Sequence, residues 1–137
     1  MAGVMQREGI ELVIYGEPAS KANSRQLVRF GDRPAIIKSQ KARNYETDAR
    51  RQIPASIRSN YAGKVAVDIH IFYASERPDL DESVILDVLQ ARFERQAGER
   101  VCTWPGVYLN DRQVREKHVY HAIDKRQPRA RIVVRPL

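Results

Sequence analysis

The sequence predicts an α+β domain: a small mixed or antiparallel β-sheet with two main helices packed on it. Three observations lead there. Val65, Val67, Ile69, Ile71 and Tyr73 alternate along one run, the two-residue period of a half-buried strand. Residues 39–53 and 82–95 repeat their apolar positions at helical spacing. The resulting order, strand, hairpin, helix, strand, helix, strand, strand, is that of a small sheet carrying helices. At 137 residues the chain reads as a single domain spanning 1–137.

The elements follow in chain order. Ile10 to Tyr15 alternates and ends at Gly16, giving a first strand. Gly16 to Asn23 holds Pro18, Ser20 and Asn23 and reads as loop. Gln26–Phe30 and Pro34–Ile37 flank Gly31-Asp32, a hairpin signal. From Ser39 to about Ile53, Ala42, Tyr45, Ala49 and Ile53 form one helical stripe, which Pro54 ends. After the long Val65–Tyr73 strand, Ile85, Val88, Leu89 and Phe93 predict a helix from about Glu82 to Arg95. Gly98 to Gly106, with Cys102, Trp104 and Pro105, reads as loop. Val114–Ile123 and Arg131–Val134 are the closing strands.

Composition narrows the chemistry. Hydrophobic content of 42% and charged content of 30% fit a globular chain. The sequence contains no apolar run long enough to span a bilayer and no signal-peptide core, so no membrane association and a cytoplasmic location are expected. Cys102 is the only cysteine, which excludes an intrachain disulfide and a thiolate zinc site. His118 and His121, at odd spacing on a strand, point to opposite faces. Any metal is therefore expected to be hard and oxygen-ligated.

The formal charge is +7 and the pI is near 9.9, yet five carboxylates crowd Glu76 to Asp87. Basic surface attracts polyanions, most often nucleic acid. Clustered acids repel the same polyanion unless a divalent cation lies between them, which suggests metal-dependent action on phosphodiesters. Asp79 and Asp81 follow the long strand in a segment that Pro78 keeps extended, where residues two apart share a side. Two such carboxylates suit Mg²⁺ or Mn²⁺. Asp111, in the turn before the Val114 strand, is the best third ligand if that strand runs antiparallel beside Val65–Tyr73. Glu82 and Asp87 are weaker candidates. A second reading accounts for the same acids: Asp79-Leu80-Asp81-Glu82 opens a helix, where aspartate caps free N–H groups and acids favour the positive dipole end. Spacing alone leaves both open.

Three separated motifs carry a resemblance. Asp79-Leu80-Asp81 before an amphipathic helix, Leu109-Asn110-Asp111-Arg112-Gln113-Val114 after it, and the Pro18 to Ser24 loop together resemble the RusA family of Holliday-junction resolvases. The likeness runs from about Ile10 to the last strand. It implies a small homodimeric endonuclease, common in phages and prophages and acting in the bacterial host cell. Such an enzyme places paired nicks across a four-way DNA junction with Mg²⁺ or Mn²⁺. The family's metal-binding aspartates fall on Asp79, Asp81 and Asp111. The chain departs from the pattern in four places. Glu82 replaces the asparagine after D-x-D, Asn110 replaces the first aspartate of the D-D pair, and Ser83, Val84 and Ile85 occupy the neighbourhood of the family's functional lysine. The segment from Phe93 to Tyr108 is also longer than in the founding type.

A basic substitute for that lysine is therefore sought. Lys117 lies an even number of positions after Asp111 on the following strand, and Arg77 flanks the aspartates. Either would offset charge on a scissile phosphate; a solvated surface charge is the plain alternative. From Ser20 to Arg58 ten lysines and arginines face the three acids Asp32, Glu46 and Asp48, an excess equal to that of the whole chain. Lys21, Asn23, Ser24, Arg25 and Arg29 form the expected phosphate-contact loop, extended by Lys38, Lys41 and Arg43. Trp104 is expected to pack, in the fold or at a dimer contact, rather than to wedge into DNA. A restriction-enzyme-like fold would need an E-x-K that no nearby strand supplies. The non-enzymatic alternative is a basic DNA-binding module whose acidic turn only caps a helix.

Overall fold

The computed structural model describes residues 5, 7–20 and 23–137. In chain order the elements are β1 (Ile10–Tyr15), β2 (Arg25–Phe30), β3 (Arg33–Lys38), α1 (Gln40–Gln52), β4 (Val65–Tyr73) and α2 (Ser83–Leu89). They continue with β5 (Arg92–Gln96), β6 (Glu99–Trp104), β7 (Val114–Ile123) and β8 (Arg129–Pro136). Four strands form the main sheet in the order β1-β8-β4-β7. Both neighbours of β8 pair with it antiparallel, whereas β4 and β7 run parallel. Two separate hairpins, β2–β3 and β5–β6, complete a mixed α+β fold.

The alternation in β4 does what its period dictates. Val65, Val67, Ile69, Ile71 and Tyr73 are fully buried, and Ala130, Ile132 and Val134 of β8 join them on the same face. Ala42, Tyr45 and Ala49 of α1 and Val84, Ile85, Val88 and Leu89 of α2 close the core over that face. Each large aliphatic side chain so buried contributes about 1.5–3 kcal/mol relative to exposure. The opposite face is polar: His70 stacks on Tyr120 at 4.5 Å, Arg129 lies over Phe72, and Arg131 pairs with Glu11.

Helix α1 starts where Ser39 Oγ accepts the Ala42 N–H at 3.1 Å, and it ends before Pro54. Helix α2 is shorter than its sequence pattern. It stops at Leu89 rather than near Arg95, and the predicted helix end and loop form the β5–β6 hairpin instead. Ala97 and Gly98 turn this hairpin with φ of 52° and 82°, the left-handed pair that a two-residue turn requires. Alanine is not a residue that announces such a turn, and Phe93 happens to sit in phase with the helix. At Gly106 the chain passes so close to Gln90 and Ala91 that a Cβ would strike their backbone. Trp104 does not sit in a loop: it ends β6, packs against the core and is faced by Arg58 and Arg50 at 4.8 and 5.8 Å.

The parallel pairing of β7 corrects the antiparallel arrangement expected from the sequence. Between β4 and β7 the chain returns through α2 and the β5–β6 hairpin, so β7 starts beside Val65, where β4 also starts. Asp111 thus precedes β7 beside the start of β4, whereas the segment that carries Asp79 and Asp81 leaves the end of β4.

Candidate functional site

Segment 74–82 leaves β4 and doubles back, and Tyr73 fixes its course. The side chain is fully buried, and its hydroxyl donates to the Asp79 carbonyl and accepts the Asp81 N–H, both at 3.2 Å. Burial raises the Tyr73 pKa, the Asp81 N–H bond lowers it, and the nearby carboxylates of Asp81, Glu17 and Glu82 raise it again. On β7, His121 Nε2 lies 3.2 Å from the Pro78 carbonyl, which selects the tautomer protonated at Nε2. Glu17, from the loop after β1, accepts the Ala74 N–H at 2.6 Å. Three side chains from three strand ends thus anchor one acidic segment.

Asp79 is exposed and Asp81 half-buried. Asp81 Oδ1 accepts the Ser83 N–H at 3.0 Å, satisfying a free donor at the start of α2. No capping box joins Asp79 and Glu82, and Glu82 makes no side-chain cap bond. Its carboxylate instead meets Lys117 Nζ at 2.6 Å.

Asp111 sits past the other end of α2. Its N–H donates to Gln90 Oε1 at 3.1 Å, and its turn is organised by Gln113. The Gln113 amide oxygen accepts from the Leu109 and Asn110 N–H groups at 3.0 and 2.8 Å, while its nitrogen donates to the Tyr61 and Gly63 carbonyls, both at 2.7 Å. Asn110 caps the same turn by accepting the Arg112 N–H. Asp111 and Lys117 both line a cleft of about 310 Å³ together with Leu86, Val114, Arg115 and Glu116. Buried Tyr108 donates to the Leu86 carbonyl at 2.7 Å, and its pKa is raised by burial, then by Asp111 and Asp87.

The acids therefore fall into two groups. Asp81, Glu82 and Glu17 act on Tyr73, and Asp111 and Asp87 act on Tyr108. Carboxylate oxygens suit Mg²⁺ or Mn²⁺ by type. Among the described residues, however, no three His, Cys, Asp or Glu side chains gather into a group that could hold a metal ion. Lys117 is the residue that spans both groups, with its ammonium on Glu82 and its cleft shared with Asp111.

The basic residues also divide. Arg25, Arg29, Lys41 and Arg77 are exposed, as is Asn23, whose side chain donates to Ser20 Oγ. Ser24 is only 4% exposed, and its carbonyl accepts the Ser39 N–H, so it is part of the hairpin base. Lys38 is committed to Glu46 and Asp87 at 2.5 and 3.2 Å, tying the hairpin to both helices. Arg43 donates to Gln40 at 2.9 Å. Lys21 lies outside the described residues.

Sequence reasoning missed Tyr73, His121, Glu17 and Gln113. Only Gln113 stood inside a motif singled out beforehand. No protein-family model matches the chain, and no curated protein matches it.

Proposed function

We propose that this chain is a Mg²⁺- or Mn²⁺-dependent endonuclease of branched DNA, acting as a homodimer to nick four-way junctions in pairs. The observation that carries the reading is Lys117. A single ammonium at the α2 start, beside the Asp111 cleft, supplies the basic group that the resemblance requires and the helix itself lacks. The resemblance assigns Asp79, Asp81 and Asp111 to the cation, although the described structure does not gather them into one group; the cation, when bound, would supply an activated water. The chain's own residues have separate tasks. Tyr73 and His121 hold the acidic segment against β7, Gln113 holds the Asp111 turn, and Lys117 offsets charge on a phosphate in the cleft. Exposed Arg25, Arg29, Lys41 and Arg77 bind backbone phosphates. Two-fold symmetry would give one site per strand of a symmetric junction.

One observation favours a second reading, a non-catalytic DNA-binding module. Asp81 Oδ1 is already engaged with the Ser83 N–H, as a purely structural helix cap would be. The two are separated by incubating wild type, Asp79→Asn and Asp111→Asn with a labelled synthetic four-way junction and either metal. Paired nicks by wild type that both variants lack support the enzyme; junction binding without cleavage under either metal supports the module.

A further inference from the structure

The β2–β3 hairpin, a separate ribbon like β5–β6, differs from it in the large apolar side chains that it exposes. It forms its own two-stranded sheet and is anchored at its base, where the Ser39 N–H donates to the Ser24 carbonyl at 2.9 Å and the Gln40 N–H to Gln26 Oε1 at 3.3 Å. Three of its large apolar side chains face solvent: Leu27 is 70%, Phe30 66% and Ile36 72% exposed. Two-stranded ribbons are marginal in water, and apolar residues this exposed add little to the ribbon's own stability beyond their cross-strand contact.

Their arrangement indicates what covers them. Leu27 and Ile36 are directly paired across the strands, and Arg25 and Arg29 stand two residues either side of Leu27, on its face of the ribbon. Phe30 pairs with Arg33 next to the turn. Among the described residues, the side chains of Arg25, Arg29 and Arg33 make no hydrogen bond or ion pair, and Asp32 in the turn is the one acid between Arg25 and Lys38. Uncompensated guanidinium groups beside apolar side chains suit a partner that offers anionic oxygens and flat apolar surfaces together. Nucleic acid does, through its phosphates and unstacked bases. A second copy of the same ribbon does not, because arginines would meet arginines. A two-stranded ribbon also has the width that a major groove admits.

We infer that the β2–β3 hairpin is a DNA-engaging arm in which Arg25 and Arg29 grip phosphates while the Leu27–Ile36 pair presses on bases exposed where pairing is interrupted. The inference rests on DNA being the partner, but not on cleavage, so it is tested without divalent metal. Fluorescence anisotropy in EDTA would compare the full chain on a four-way junction and on a matched duplex across a salt series. Arg25→Ala/Arg29→Ala should weaken binding to both DNAs and lower the slope of log K against log salt by about 2. Leu27→Ser/Ile36→Ser should keep that slope and lose about tenfold or more in preference for the junction. It should also lose the fluorescence rise of 2-aminopurine placed at the branch point. All four positions are exposed, and circular dichroism checks the fold of each variant. An unchanged slope in the arginine variant, or unchanged junction preference and 2-aminopurine signal in the apolar variant, overturns the arm while leaving DNA binding intact. A Leu27/Ile36 variant altered only in its mass by light scattering assigns the patch to self-association and likewise overturns it. Wild type that binds neither DNA overturns both the arm and the nuclease reading.

Discussion

Replacing Tyr73 by phenylalanine removes one oxygen from the centre of the acidic segment. That oxygen donates to the Asp79 carbonyl and accepts the Asp81 N–H, at 3.2 Å each. A hydrogen bond of this kind contributes about 0.5–1.5 kcal/mol net. Both partners border solvent, and water can recover part of the loss, so Tyr73→Phe should cost about 1–2 kcal/mol in all. For a domain of this size that is about 4–7 °C in Tm. The pH dependence has a definite sign. Folding raises the hydroxyl's pKa, so its contribution is whole below the unfolded tyrosine value of about 10 and is lost as pH climbs through the folded value. Denaturant melts and amide hydrogen exchange are the assays, with the Asp81 N–H as reporter. Exchange at Asp81 should accelerate in the variant while amides at the centre of β4 keep their protection. An Asp81 amide as protected as in wild type, with Tm unmoved, would refute the idea that Tyr73 holds this segment.

Four other substitutions, at three positions, test further steps. Asp81→Asn should leave stability within about 0.5 kcal/mol, because an amide oxygen can still accept the Ser83 N–H, whereas Asp81→Ala should cost about 1 kcal/mol; loss of junction cleavage in Asp81→Asn would then belong to the charge, and full activity would remove Asp81 from the metal assignment. Lys117→Ala should alter stability by less than about 1 kcal/mol, since its pair with Glu82 is half-exposed, yet slow cleavage of saturating junction by about tenfold or more; an unchanged single-turnover rate would exclude it. Ala97→Gly should stabilise the protein by about 0.5–1 kcal/mol, relieving the positive φ of 52° in the β5–β6 turn, and a lower denaturation midpoint would contradict the turn geometry.

Periodicity made much of the fold legible. The alternation in β4 and the stripe of α1 appear where the apolar residues recur, because burying one face is what stabilises those elements. Strand β7 matches its expected bounds residue for residue. The end of α2 was hidden because Phe93 continues the helical phase by coincidence and the turn beyond it uses alanine. Strand direction is a different matter. Nothing in the residues of β4 or β7 states that they run parallel; the path of the intervening chain decides it. That path also decides which acids face one another, which the motifs alone do not state. Tyr73 escaped notice because it looks like the last apolar position of a strand, and its hydroxyl acquires meaning only when segment 74–82 folds back over it.

Gln113 bears on how the protein ages. Its amide is fully committed, with two N–H groups held by the oxygen and two carbonyls met by the nitrogen. Hydrolysis of that amide to glutamate, a change of one atom, would exchange a double donor for a carboxylate and set negative charge against the Tyr61 and Gly63 carbonyls. No rotation of the side chain repairs this, since an ionised carboxylate donates nothing. The Asp111 turn would then lose its side-chain ties to the segment that leads into β4, while most of the molecule kept its packing. The chemical state of one side-chain amide is therefore coupled to the shape of the Asp111 turn.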